Sequence, residues 1–355
     1  MINLLIPIAG QSSRFPDMKP KWMLTHPMGY MMVVEAIKGI NFEEFDHIYF
    51  IGLKSHELQF NVKQALLEQL DEIGILEKSE LILLENTTNS QPETIYAGIK
   101  QAKIKGQIII KDSDNFFKLP SVKGNAVAVS DLNEYSKINA SNKSYVELNE
   151  HGLIDNIVEK KVVSSQFCVG AYAFEHASEF CEYFERLEND DLYISDIIFS
   201  MILDSKQFSV LKVSEYCDWG TIKEWNEYKA QYFTLFIDLD GTLVKNSGQY
   251  STPKWGETEA LSDNVQAINR LHETGKVEVI ITTSRKPSFK KQTLAQLSRI
   301  GLQFDQIIYG LVHGKRIVIN DYAKTNPYKS CDAINLKRDS QDLKDKLEGT
   351  IGFML

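Results

Sequence analysis

Short apolar runs punctuate the chain, and helical patterns separate them. The runs are Asn3–Ala9, His47–Leu53, Glu80–Glu85, Gln107–Lys111, Asn125–Val129, Phe208–Lys212, Thr234–Asp238, Val277–Thr282 and Arg316–Ile319. Their Ile and Val content predicts strands covered on both faces. Helices are predicted at Met31–Lys38, Leu58–Leu70, Gln91–Ala102, Ser195–Ile202, Asn264–Glu273 and Phe289–Ile300. In Asn264–Glu273 the apolar positions Val265, Ile268 and Leu271 recur as one buried helix face requires. Strands alternating with helices imply an α/β architecture with mainly parallel sheets.

The alternation breaks once. Ser144–Leu148, Ile154–Glu159 and Phe167–Phe174 follow one another without helices, which predicts an antiparallel excursion from the first sheet. A polar, aromatic helix over Lys223–Gln231 then precedes a fresh apolar strand at Phe233. The domain boundary is therefore expected near Tyr232, giving domains 1–232 and 233–355 joined by a short hinge. A charged amphipathic helix is expected over Ser340–Leu347, packed on the first domain or on a second copy.

The length of 355 residues suits two domains, and the charge narrows their partners. The net charge is −9 with no basic block, which argues against nucleic acid as the main partner. A phosphorylated small molecule needs only a few local cations. Four cysteines without a C-x-x-C pair make a zinc site improbable and fit free thiols in a reducing cytoplasm. The start, MINLLIPIAG, reads as a first strand and not as a signal peptide. No apolar run approaches the ~20 residues that span a bilayer.

Two clusters of residues carry chemistry. The first strand ends at Ala9-Gly10 and enters Gln11-Ser12-Ser13-Arg14-Phe15, followed by Lys19-Pro20-Lys21. Small residues after a strand let backbone N–H groups approach phosphate oxygens, and Arg14 and Lys21 supply positive charge for a triphosphate. Farther on, Ile108-Ile109-Ile110-Lys111 ends in Asp112-Ser113-Asp114. Carboxylates just past a buried strand suit Mg²⁺, which takes one or two of them plus phosphate oxygens. Asp218, before Trp219-Gly220-Thr221, is a further carboxylate at a turn.

In order, I-P-I-A-G-Q-S-S-R-F with P-K (6–15 and 20–21), K-D-S-D-N (111–115), V-E-K (158–160), V-G-A-Y-A-F (169–174) and D-W-G-T (218–221) resemble the sugar-phosphate nucleotidyltransferase family over about residues 1–230. The resemblance implies a Rossmann-like domain with a mixed sheet. It also implies attack of a phosphorylated sugar, polyol or aminoalcohol on the α-phosphorus of a nucleoside triphosphate, CTP favoured, with pyrophosphate leaving. On that resemblance Gly10, Gln11, Ser12, Ser13, Arg14 and Lys21 hold the triphosphate. Asp112 and Asp218 bind Mg²⁺ with Asp114 close by. Glu159 and Lys160 face the acceptor, and Gln91 meets the base. Ser12 stands where the family usually has glycine, so the turn must tolerate a Cβ.

The second cluster is Asp238-Leu239-Asp240-Gly241-Thr242-Leu243 after the strand Phe233–Ile237. Carboxylates two apart on an extended segment share a side, so both can face one Mg²⁺ and one phosphate. The motif resembles the haloacid dehalogenase-like phosphatase superfamily over about residues 233–340, which implies a small Rossmann-like domain. Asp238 would form an aspartyl-phosphate and Asp240 would act as acid and base. Thr283 would bond to the phosphate, and Asp321, after the strand ending Ile317-Val318-Ile319-Asn320, would complete the Mg²⁺ site. The lysine that the superfamily requires matches poorly. Lys315, Lys286 and Lys290 lie in suitable loops, and Lys315 is the choice. The expectation is a bifunctional cytoplasmic enzyme, able to form a homo-oligomer, making activated precursors for surface polysaccharide. The alternative is a nucleotidyltransferase carrying an inactive, structural or regulatory phosphatase-like domain.

Overall fold

The computed structural model describes residues 1–352 apart from Ser13, Pro16, Asp17, Ser136, Lys137, Asp190, Ser251 and 322–329. By internal packing the chain divides into two compact units, 1–225 and 226–355, the division falling within the helix Ile222–Lys229.

The first unit is a mixed α/β layer structure. Its strands are β1 (Ile2–Pro7), β2 (His47–Leu53), β3 (Ser79–Leu84), β4 (Gln107–Lys111), β5 (Asn115–Lys118), β6 (Ala126–Asp131), β7 (Tyr145–Leu148), β8 (Ile154–Val158), β9 (Gln166–Phe174), β10 (Ser209–Lys212) and β11 (Ser214–Asp218). The main sheet runs β10-β6-β9-β4-β1-β2-β3. Strands β1 to β4 are mutually parallel, and β9 lies antiparallel between β4 and β6. The predicted excursion is present as the antiparallel β7–β8 pair beside β9. Apolar side chains fill both faces of the sheet. Leu5, Ile51, Ile108 and Ile110 pack under the helix Gln91–Ala102, and Leu4, Ile6, Phe50 and Ile109 pack on the other side. The single helix expected over Leu58–Leu70 is two, Lys54–Phe60 and Lys63–Glu72, because Asn61 turns into the left-handed region (φ 47°).

Chain order fixes the site. From β1 the chain builds β2 and β3 on one side, then returns to place β4 on the other. Crevices beyond the carboxyl ends of strands at such a reversal are where open α/β sheets bind ligands.

The second unit is smaller. Strands β12 (Phe233–Asp238), β13 (Val277–Thr282) and β14 (Gln306–Ile308) form a parallel sheet in that order. The helices Ser262–Glu273 and Leu343–Ile351 complete its core, with Val265, Ile268, Leu271, Leu343 and Leu347 packed on Ile237, Val279 and Ile281. The last helix thus starts three residues later than predicted and packs within its own unit.

One predicted strand is corrected. Arg316–Ile319 forms no strand, and Ile317, Val318 and Ile319 are exposed. Strand propensity needs an edge to pair with, and the third strand here is Gln306–Ile308. Among the described residues no helix is long and apolar enough to cross a membrane.

Candidate active sites

In the first unit, the loop after β1 and the turn after β4 converge. Ser12 adopts φ 53°, the conformation glycine favours, and its Oγ accepts the Lys21 backbone N–H at 2.8 Å. The added Cβ is thus offset by a hydrogen bond that sets where Lys21 begins. A Cβ on Gly10 would meet nothing within 4 Å, so that stretch of backbone is open to a ligand. Gln11 is exposed beside it, and Ser13 lies outside the described residues.

The K-D-S-D-N turn is wound around a buried ammonium. Lys111 Nζ donates to the carbonyls of Asp112 (2.8 Å) and Asn115 (2.9 Å) and to Asn115 Oδ1, and lies 4.3 Å from the Phe117 ring centre. Burial lowers its pKa to about 7, against the opposing pull of Asp112, Asp114 and Asp218. Asp112 Oδ1 accepts from Gln91 Nε2 at 2.6 Å. Burial, then the charge of Asp114, raises Asp112 to about 6. A methyl on Gly170 would stand 2.2 Å from Asp112 Oδ2, so only glycine leaves that oxygen its place.

Asp114 pairs with Lys21, and Asp218 pairs with Lys143. Burial alone would raise Asp114, but Lys21, then Arg14 and Lys143, outweigh it and hold it at about 2. The Asp114 carbonyl accepts Trp219 N–H at 2.9 Å, and Asp218 Oδ1 accepts Gly220 N–H at 2.9 Å. A Cβ built on Gly220 would lie 3.0 Å from Asp218 Oδ1, 3.4 Å from Asp114 Oδ2 and 3.7 Å from Arg14 Nη1. Three charged groups from segments about 100 residues apart therefore surround one point.

The acceptor-side candidates are placed less directly. Glu159 Oε2 accepts the hydroxyls of Ser144 and of Ser195 (3.0 Å), so it is held internally. Lys160 Nζ donates to Tyr193 Oη and lies over that ring, while its backbone N–H donates to the Lys143 carbonyl at 3.0 Å.

In the second unit, Asp238 ends β12 opposite Thr282 of β13. Burial, then the charge of Asp240, raises its pKa, while Arg316 and Arg338 oppose the rise. Arg316 Nη2 lies 3.8 Å from Asp238 Oδ1. Asp240 is gripped by a fork: Arg285 Nε donates to Oδ2 at 2.9 Å and Nη2 to Oδ1 at 2.8 Å. The Arg285 side chain is wholly buried, and its Nη1 donates to Thr293 Oγ1 at 3.2 Å.

Thr283 is buried and its Oγ1 accepts the Arg285 N–H at 3.1 Å, which turns that hydroxyl inward. Lys315 and Asp321 are exposed, in a segment without regular structure. Lacking the expected strand, this segment does not carry Asp321 into a metal-sized group with Asp238 and Asp240. The segment Lys245–Glu257 packs on its own unit through Trp255, which meets Phe289 edge-on at 5.1 Å and donates Nε1–H to the Ser247 carbonyl.

Three site residues escaped the sequence. Lys143 has no motif around it. Arg285 follows the predicted strand Val277–Thr282 with nothing around it to mark it, and Lys111 appears only inside K-D-S-D-N. An isolated basic residue gives no sign of burial, since most are solvated.

Among the described residues no three Asp, Glu, His or Cys side chains are grouped to hold a metal by themselves. The first site nevertheless fits a magnesium ion. Asp112 resists ionising because it is buried and because Asp114 is charged beside it, and a divalent cation would relieve that penalty with phosphate oxygens as its other ligands. Asp238, raised in the same sense by burial and by Asp240, makes a two-carboxylate fit in the second unit.

Residues 235–344 match the family model of haloacid dehalogenase-like hydrolases. The fold of the first unit is that of the nucleotidyltransferases. A nucleoside-diphosphate-sugar pyrophosphorylase from Vibrio cholerae RC9 is 19% identical, with a TM-score of 0.52, covering 63% of this chain and 98% of that one. An inositol-1-phosphate CTP transferase from T. maritima is 10% identical, with a TM-score of 0.51, covering 62% and 90%. A putative glucose-1-phosphate thymidylyltransferase from Bacillus anthracis is 18% identical, with a TM-score of 0.50, covering 63% and 92%. No curated protein matches the sequence.

Proposed function

From a nucleotidyltransferase fold joined to a haloacid dehalogenase-like hydrolase, we propose that this chain carries two phosphorus-centred reactions. In the first unit a phosphate oxygen of a small phosphorylated sugar, polyol or aminoalcohol attacks the α-phosphorus of a nucleoside triphosphate, and pyrophosphate leaves. The nucleotide is CTP, in keeping with the CTP transferase among the fold relatives.

The observation that carries the reading is the meeting of Asp114, Asp218 and Arg14 around one point at the sheet's reversal. In-line transfer asks for alignment and charge neutralisation more than for a covalent protein group. Arg14 and Lys21 hold the triphosphate with the Gly10–Ser12 backbone. Asp112 and Asp218, with Asp114 close by, would hold Mg²⁺ together with phosphate oxygens, and the ion would supply charge neutralisation at the phosphates. Gln91, already oriented by Asp112, faces the base, and Lys160 leaves Tyr193 for the acceptor's phosphate. An NTP-by-acceptor screen read by product mass, with Mg²⁺ and with EDTA, tests this. Stabilisation and turnover with GTP alone would refute CTP.

In the second unit Asp238 Oδ attacks a phosphomonoester, forming an aspartyl-phosphate as the P–O ester bond breaks. Asp240 gives a proton to the leaving oxygen and then takes one from the water that displaces Asp238 from phosphorus, releasing phosphate and the free carboxylate. A nucleotide-activated product and a phosphatase on one chain suit a cytoplasmic enzyme feeding surface polysaccharide, a step that rests on family analogy. A second reading, a unit that binds phosphate without turnover, draws on the Arg285 grip on Asp240 and the exposed Lys315 and Asp321. Phosphate release from a panel of phosphomonoesters, with none above background, would favour it.

A further inference from the structure

Lys143 stands where no motif places a residue, yet it belongs to the first site by every contact. Its Nζ donates to Asp218 and, at 2.6 Å, to Tyr216 Oη. Only 14% of its side chain is exposed. Its charge reaches Asp114 as well. Its carbonyl accepts the N–H of Lys160, so the backbone that carries Lys143 is tied to the acceptor-side loop. The next residue, Ser144, donates to Glu159 of that same loop.

Asp218 cannot serve two cations equally. A carboxylate in contact with an ammonium loses much of its attraction for a metal, because the two positive charges repel at short range. A lysine, with a flexible stem and three rotatable donors, is suited to leave one oxygen for another. We propose that Lys143 is an exchangeable cation of the transfer reaction: it neutralises Asp218 in the empty site, yields that carboxylate to the divalent ion, and moves onto the acceptor's phosphate. This rests on the nucleotidyl-transfer reading of the first unit. Its role differs from that of Lys21, whose partner is Asp114 on the triphosphate side. A tie that only braced Asp218 against Tyr216 would predict the opposite behaviour towards metal.

The test uses the full-length chain with Lys143→Met and Lys143→Arg. Mn²⁺ binding is measured by calorimetry without nucleotide, and pyrophosphate release with Mg²⁺, CTP and the acceptor found in the screen. Lys143→Met should bind Mn²⁺ at least ~5-fold tighter, because the competitor is gone. It should also lose ~100-fold or more in kcat/KM for the acceptor, with KM for the nucleotide little changed. Adding Asp218→Asn to Lys143→Met should remove the tighter binding. Lys143→Arg should keep wild-type Mn²⁺ affinity and restore most of the turnover.

Mn²⁺ binding by Lys143→Met that is unchanged or weaker overturns the exchange, as does turnover within 2-fold of wild type. If the wild type itself makes no product with any nucleotide and acceptor, the transfer reading falls and the phosphate half of the proposal falls with it. The metal arm then still decides whether Lys143 competes for Asp218.

Discussion

Replacing Asp240 by Asn should cost the second unit stability as well as chemistry, whereas the same change at Asp238 should cost chemistry alone. Asp240 is the counter-charge of an arginine with no exposed side-chain surface, bound through Nε and Nη2 to both carboxylate oxygens. Removing one partner of a buried ion pair typically costs about 3–5 kcal/mol, since the other charge stays behind unpaired. Asn keeps one acceptor oxygen, and Asp240 retains 15% side-chain exposure, which puts the expectation near the lower end, about 3 kcal/mol. For a unit of this size that lowers the melting temperature by about 10 °C. Asp238 is half-exposed and its ionised form is already disfavoured by burial and by Asp240, so an uncharged amide costs the fold nothing there. The assay is urea unfolding read by hydrogen exchange on peptides from β12 and β13, beside phosphate and pyrophosphate release. Asp238→Asn should lose phosphate release, keep pyrophosphate release and unfold like wild type. Asp240→Asn should open these strands at lower urea, and adding Arg285→Met should recover most of the loss. Asp240→Asn as stable as wild type, or an Arg285→Met change that merely adds to the damage, would refute the reasoning.

Lys21→Ala should lower pyrophosphate release by ~100-fold or more, because Lys21 is paired with Asp114 beside Arg14; undiminished turnover would remove Lys21 from the mechanism. Gly170→Ala puts a methyl 2.2 Å from Asp112 Oδ2 at φ 87°, so it should cost about 1–3 kcal/mol and displace Asp112 from Gln91. Transfer activity equal to wild type would show that Asp112 has room to move. His26 is buried, and burial, then the charge of Lys38, lowers its pKa from 6.5 to about 4. The unfolded chain takes up this proton first, so the stability His26 contributes is complete above pH 6.5 and is lost as pH falls towards 4, about 3 kcal/mol in all. Denaturant titrations of wild type and His26→Gln at pH 7 and 4.5 should show wild type losing more; equal losses would contradict the burial argument.

The sheet frame was legible because β1, β2, β4 and β13 are runs of Ile, Leu, Val and Phe that meet apolar cover on their faces, and burial writes itself into composition. Arg316–Ile319 has the same composition and forms no strand, since a side-chain pattern states a preference and not a partner. Asp112, Asp114 and Asp218 were readable because each follows the end of a predicted apolar run or precedes a Trp-Gly turn. What each carboxylate touches was not. Gln91 on Asp112, Lys143 on Asp218 and Arg285 on Asp240 are pairings across 21, 75 and 45 residues, set by the folded backbone. Glu159 shows the converse. Its place in V-E-K suggested an acceptor contact, while two serine hydroxyls occupy its oxygen.

The choice of cation separates the two sites. Buried or half-buried carboxylates must be paired, and each unit meets that demand differently. The first uses lysines: Lys21 and Lys143 keep 18% and 14% of their side chains in contact with solvent, each on a flexible stem with a point charge. Such pairs are stable while the site is empty and can be dissolved when phosphates and a divalent ion offer more charge at closer range. The second uses a buried arginine whose planar fork engages both oxygens of Asp240 and whose remaining edge reaches Thr293. Breaking that grip would strand a guanidinium in the core, so it holds Asp240 in one orientation and does not exchange. The charge pairs of the first site are therefore built to change partners during a reaction, and the pair in the second is built to keep one carboxylate still while its neighbour, Asp238, meets the substrate.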